Sequence, residues 1–178
     1  MLYSYILQYA SPTLAGKKAG SLFRVPHQLW SREKEPLLNL LHTVHLQCIP
    51  VEFAGRSVLV YLYSPVLLNS ILTNQENISF LTQLNYAPCS ETHLETLLKK
   101  IRSRRDFPHE IGLFLGYPLQ DVEGYIENKG QNSLYNQYWK VYFNVEQAKQ
   151  TFASYDLCKN RLMNALRAGA SFEEILYL

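Results

Sequence analysis

The spacing of apolar positions changes several times along the chain, and each change predicts an element. Residues 2–10 form a short apolar stretch that fits either a short helix or a buried strand. Pro12, Gly16 and Gly20 then interrupt regular structure. Residues 37–41 fit a helix begun near Pro36, because a proline in a first turn lacks only an N–H that has no partner there. Across residues 42–48 the period becomes two: Val44, Leu46 and Cys48 share one side, while Thr43, His45 and Gln47 share the other. Residues 57–63 follow as a β-branched and aromatic run after Gly55-Arg56, so the two runs predict a loose antiparallel hairpin. Ser64-Pro65 predicts the start of a helix that reaches Leu72.

Ser90 opens a helix whose buried stripe is Leu94, Leu97, Leu98 and Ile101, with Glu95 and Lys99 one turn apart on its exposed side. The segment 107–130, FPHEIGLFLGYPLQDVEGYIENKG, is the most heavily punctuated part of the chain. Pro108 predicts one short helix with Ile111, Phe114 and Leu115 inward, ended by Gly116. Pro118 predicts a second with Leu119, Val122 and Ile126 inward, ended by Asn128-Lys129-Gly130. Residues 138–143 are a third strand candidate. Asn144 and Gln147 form a capping-box pattern before a long helix carrying Ala148, Phe152 and Tyr155 towards Arg167 and Gly169. Ser171 and Glu174 repeat that pattern. No repeat or linker divides the sequence, so a single domain over residues 1–178 is expected. Its class is α+β, with a small antiparallel or mixed sheet of about three strands packed against several helices.

Composition adds two constraints. Seventeen basic against fifteen acidic residues leave a formal charge of +2, which gives no general reason to expect nucleic acid or an anionic membrane. Cys48, Cys89 and Cys158 are odd in number and far apart, which fits a reduced, cytoplasmic setting. The first residues lack the basic region of a secretory signal, and the VLVYLY run is too short to span a bilayer.

Candidate chemistry gathers around the punctuated segment. His109 can exchange a proton near neutral pH, and Glu110 or Asp121 can supply a carboxylate. Neighbours on a helix do not face each other, however, and Glu110 after Pro108 also suits the positive end of a first turn. The HExxH zinc pattern fails, because Leu113 stands where the second histidine is required, and no metal site is assigned. Gly112 and Gly116, four apart, fit close packing and a left-handed helix end rather than a phosphate loop. Asp121, Glu123 and Glu127 fit a solvated acidic face before an acidic rim to a site, since Glu123 and Glu127 align on a helix and Asp121 and Glu123 do not. Lys99, Lys100, Arg102, Arg104 and Arg105 form the strongest basic cluster, suited either to a helix C-terminus or to a phosphorylated ligand or RNA, with Tyr86 and Tyr117 as stacking partners. Trp139 can stack a ligand or fill the core.

The motifs PTLAG (12–16), LVYLYSP (59–65), the whole 107–130 segment and YWKVY (138–142) resemble the bacterial family of uncharacterised proteins called the domain of unknown function 3793 family. The likeness covers most of the chain, and HEIGLFLGYP is its most specific part. The resemblance implies one domain and brings no activity with it. Relatives commonly read HCAPTLAG at the first motif, where this chain carries Tyr9 and Ala10. A cysteine common just before the YWKVY-like strand is also absent, with Asn136 in that neighbourhood. Thiol or metal chemistry that depends on those groups is therefore missing here, while His109 and Glu110 remain.

Three functions follow as expectations. The first is a binding module for a small polar or anionic ligand or a protein partner, using Arg104, Arg105, His109, Glu110, Tyr117 and Asp121. The second is a hydrolase or transferase with His109 as acid/base and Glu110 or Asp121 as carboxylate; the third is RNA binding through the Lys99 to Arg105 cluster. Binding ranks first, and no cofactor is identified.

Overall fold

The computed structural model describes residues 1–103 and 107–178, and these form two compact units. The first comprises Met1–Pro65 with Ser154–Leu178, and the second is Val66–Ala153.

In the first unit, α1 (Leu2–Leu14) carries Leu2, Ile6, Leu7 and Ala10 on one face, a helical spacing that places all four in the core. Pro12 sits in its last turn. Tyr9 is exposed and stacks on Phe23, ring centroids 5.8 Å apart, which gives that position a packing use without histidine. Three strands follow in the antiparallel order β1-β3-β2: β1 (Gly20–Pro26), β2 (Gln47–Ala54) and β3 (Ser57–Tyr63). Ser21, Phe23 and Val25 alternate inward along β1, a period-two signal that Gly20 conceals in the sequence. Central β3 pairs along both edges and is buried from Val58 to Leu62, so side chains on both of its faces are covered. Pro50 lies on the edge strand β2 beside a register shift between Pro50 and Glu52, where a missing N–H costs no internal ladder bond. The hairpin is tight rather than loose: Ala54 pairs with Ser57 and Gly55 takes φ +57° between them.

The strand expected over residues 42–48 is overturned except at Gln47 and Cys48, which open β2. A helix, α2, spans His27–Thr43 with Pro36 inside it. Trp30, Leu37 and Leu41 recur at helical spacing and enter the core, and that burial outweighs the local alternation. His45 then adopts φ +58° and the Leu46 N–H reaches back to the Leu41 carbonyl (3.0 Å), so the chain turns before β2 begins. At the far end of this unit α9 (Phe172–Leu176) opens with the expected capping box, Ser171 and Glu174 bonding each other's backbone N–H, and buries Phe172 and Ile175.

The second unit takes up α3 (Pro65–Leu72) from Val66 and continues with α4 (Gln75–Gln83), which is capped by the Asn74 side chain accepting from the Glu76 and Asn77 N–H groups. A 3-10 turn at Ser90–Thr92 leads into α5 (His93–Arg102), which buries His93, Leu97 and Ile101, with Leu94 and Leu98 at the margin. The expected corner follows as α6 (Ile111–Phe114) and α7 (Leu119–Glu127). Gly116 takes φ +84° there, and the Gly116 and Tyr117 N–H groups reach back to the Leu113 and Gly112 carbonyls, both at 2.9 Å. Two residues of the third strand candidate form β5 (Lys140–Val141), paired with β4 (Tyr135–Asn136) in a separate ladder. The next two N–H groups, of Tyr142 and Phe143, turn instead to the Asp121 carboxylate, which ends the strand. Helix α8 (Val145–Arg167) starts where Asn144 Oδ1 accepts the Gln147 N–H at 3.1 Å, and it continues into the first unit's residues. Among the described residues no helix is long and apolar enough to cross a membrane.

Gly112 admits side chains rather than a neighbouring backbone. A Cβ there would lie 2.7 Å from Val122 Cγ2 and 3.1 Å from Tyr117 Cδ2. Gly112→Ala is therefore expected to destabilise the protein by about 1–3 kcal/mol through overpacking, readable as a lower urea midpoint with an unchanged m-value. An unchanged midpoint would show that Val122 and Tyr117 move aside freely.

Candidate binding recess at the helical corner

Asp121 is the anchor of the corner. It is 4% exposed, and its Oδ1 accepts the backbone N–H groups of Tyr142 (2.7 Å) and Phe143 (3.0 Å). Its Oδ2 accepts the Trp139 indole N–H at 2.7 Å. A buried carboxylate needs such donors to offset its lost hydration, and these three bind α7 to the 139–143 segment. Trp139 in turn stacks on Tyr117 (4.7 Å, 26°) and meets Phe152 edge-on (4.4 Å, 82°). Burial pushes the Tyr117 phenol up to about 12, and its hydroxyl donates to the Tyr138 carbonyl at 3.4 Å.

These groups line a recess of about 320 Å³. Four aromatic side chains line it, Phe107, Tyr117, Tyr125 and Trp139, with the His109 ring 5.0 Å from Tyr125 and 6.3 Å from Phe107. Ile111, Gly112 and Val122 complete the apolar lining, and Asp121, Asn136 and Lys140 are its polar members. Lys140 donates to the Gly130 carbonyl, which the left-handed turn at Gly130 (φ +71°) positions after α7. Trp139 and Asp121 also line a neighbouring cavity of about 330 Å³.

Of the residues expected to act together, His109, Tyr117 and Asp121 line this recess, and Glu110 does not. Glu110 is 6% exposed, and its Oε1 accepts the Tyr86 hydroxyl (3.0 Å) and the Lys100 ammonium (2.8 Å). Lys100 also donates to the Leu84 carbonyl and lies 4.1 Å from the Tyr86 ring centroid. Burial, with the Glu110 carboxylate beside it, pushes the Tyr86 phenol far above its usual range. His93 packs edge-on to Tyr86 with Nε2 2.7 Å from the Ala87 carbonyl; its buried Nδ1 has no hydrogen-bond partner among the described residues. Glu110 thus stands at the start of α6, as expected, but makes no side-chain cap there, and its carboxylate joins α5 to the corner instead. A cavity of about 460 Å³ adjoins this network and shares Phe107 and His109 with the recess.

The basic cluster is partly consumed by the protein itself. Lys100 serves Glu110, and Lys99 pairs with Glu95 across one turn at 2.7 Å, an exposed contact that stabilises little. Arg104 and Arg105 lie outside the described residues. Lys140, Tyr125, Asn136 and Phe107 line the recess as well and stand outside the group expected from the sequence. Lys140 was discoverable only through its place in YWKVY beside Trp139, because nothing local joins residue 140 to residue 109.

Neither the curated proteins nor the solved structures offer a match to this chain. A family model described as a protein of unknown function matches residues 6–176, nearly the full length. With its corner motif lying wholly inside that match, the chain belongs to the DUF3793 family.

Proposed function

We propose that the protein is a binding module for a small polar or anionic ligand taken in the recess at the helical corner. One observation carries this reading: His109, Tyr117 and Asp121 converge with Trp139 and Lys140 on a cavity of about 320 Å³, within the size range of small-molecule sites. An apolar lining with a few polar groups favours binding by contact area, with orientation fixed by those few groups. The acid–base alternative draws less support from the same geometry. The Glu110 and Asp121 carboxylates are engaged by protein donors, and Glu110 is absent from the lining of the recess. A cytoplasmic setting is part of the proposal, supported by three free cysteines, of which Cys89 is exposed and Cys48 is buried.

Ligand-observed NMR with a mixture of aromatic fragments tests the recess, comparing the wild type with Asn136→Trp. Asn136 is exposed and lines the cavity, so a large side chain there obstructs it without entering the core. Fragments should bind the wild type and lose at least tenfold in affinity to the variant. Equal binding to both proteins, or no binding at millimolar concentrations, would rule the recess out as a ligand site.

A further inference from the structure

Resting on that reading, we infer that the ligand is a flat aromatic acid of one or two rings, held by its faces and oriented by an anionic group on Lys140. Three observations lead there. The recess is walled by rings from separate segments: the stacked Tyr117–Trp139 pair and the His109–Tyr125 pair, with Phe107 beside His109. Ring faces and edges favour another π-system over a puckered aliphatic ring of equal area. The available volume, about 320 Å³, accommodates one or two fused rings.

The sign of the charge comes from an inventory of the polar lining. The Asp121 carboxylate is offset by three N–H donors within 3.0 Å. Lys140 is half-buried and makes no ion pair with any described residue; the Gly130 carbonyl takes one of its three N–H donors. A partly desolvated ammonium with two donors left over is completed best by an anion. His109 and Asn136, both exposed on the same lining, can donate to the same group.

Isothermal titration calorimetry of the full chain with three probes tests this: 2-naphthoate, its neutral counterpart 2-naphthylmethanol, and cyclohexanecarboxylate. On the wild type, 2-naphthoate should bind at least tenfold more tightly than either of the others. In Lys140→Met its affinity should fall about tenfold while that of 2-naphthylmethanol stays unchanged. Equal affinity for naphthoate and the alcohol, or a naphthoate affinity indifferent to Lys140→Met, removes the anion and leaves the recess reading intact. Equal binding of cyclohexanecarboxylate removes the aromatic requirement. If no probe binds at millimolar concentrations, both this inference and the recess reading fall. The probe comparison on the wild type needs no variant to fold.

Discussion

Asp121→Ala is expected to lower the melting temperature by about 6–12 °C. The substitution strands the Tyr142 and Phe143 backbone N–H groups and the Trp139 indole N–H around a site that is 4% exposed. Each buried donor left without an acceptor costs about 1–3 kcal/mol, and water entering the vacated space recovers part of that. A net loss of at least about 3 kcal/mol remains, which at about 2–4 °C per kcal/mol for a chain of this size gives the stated shift. Asp121→Asn separates the bonds. Its remaining oxygen can still serve the two backbone donors, but its amide nitrogen meets the indole as donor against donor. Trp139→Phe should therefore cost less in the Asp121→Asn background than in the wild type, a non-additivity that a double-mutant cycle detects. A melting temperature within 2 °C of wild type for Asp121→Ala, by the ~2–4 °C scale just used, would show that the carboxylate does not hold the corner.

The second large effect belongs to the first unit and concerns pH. Lys18, in the loop after α1, is 8% exposed, and its ammonium donates to the Gly20 carbonyl at 2.7 Å. Desolvation by burial lowers its pKa from 10.5 to about 7. At pH 8 the unfolded lysine keeps its proton while the folded one has largely lost it. The unfolded state then binds more protons, so stability rises with pH. Below pH 7 both states are charged and the folded protein bears the full penalty of the buried cation. From pH 7 to 9 the gain approaches about 2 kcal/mol, at about 1.4 kcal/mol per pKa unit. Burial raises the Cys48 thiol from 9.0 to about 12, so that group acts with the opposite sign, and only as pH passes its unfolded value. Urea unfolding at pH 7, 8 and 9 should therefore give a flatter profile for Lys18→Met than for the wild type. Parallel profiles would mean that the folded lysine keeps its proton throughout this range.

Features written in adjacent residues were legible in the sequence. Gly116 and Pro118 mark the corner, Asn144 and Ser171 start their helices, and Gly169 ends α8 with φ +94°, because each signal acts within about one turn. His109, Tyr117 and Asp121 meet for the same reason, their spacing being set by two short helices and one bend. Where partners are distant, the sequence is silent. Glu110 meets Lys100 ten residues away and Tyr86 twenty-four away, and Asp121 finds its donors eighteen to twenty-two residues on. The alternation around residue 45 misleads because Val44 and Leu46 follow a helix end rather than starting a strand. Helix α2 shows its true period only when Trp30 is counted with Leu37 and Leu41, across the proline that would ordinarily stop the search.

The stacked indole at the corner has a spectroscopic consequence. The chain contains two tryptophans, one in each unit: Trp30 is held in the core of the first, while Trp139 borders the recess of the second. Trp30→Phe would leave a single tryptophan beside the cavity, and with excitation at its red edge its emission maximum and quenching would then follow the filling of the recess without any label. Trp139→Phe would leave the converse probe, reporting on the melting of the β-sheet unit alone.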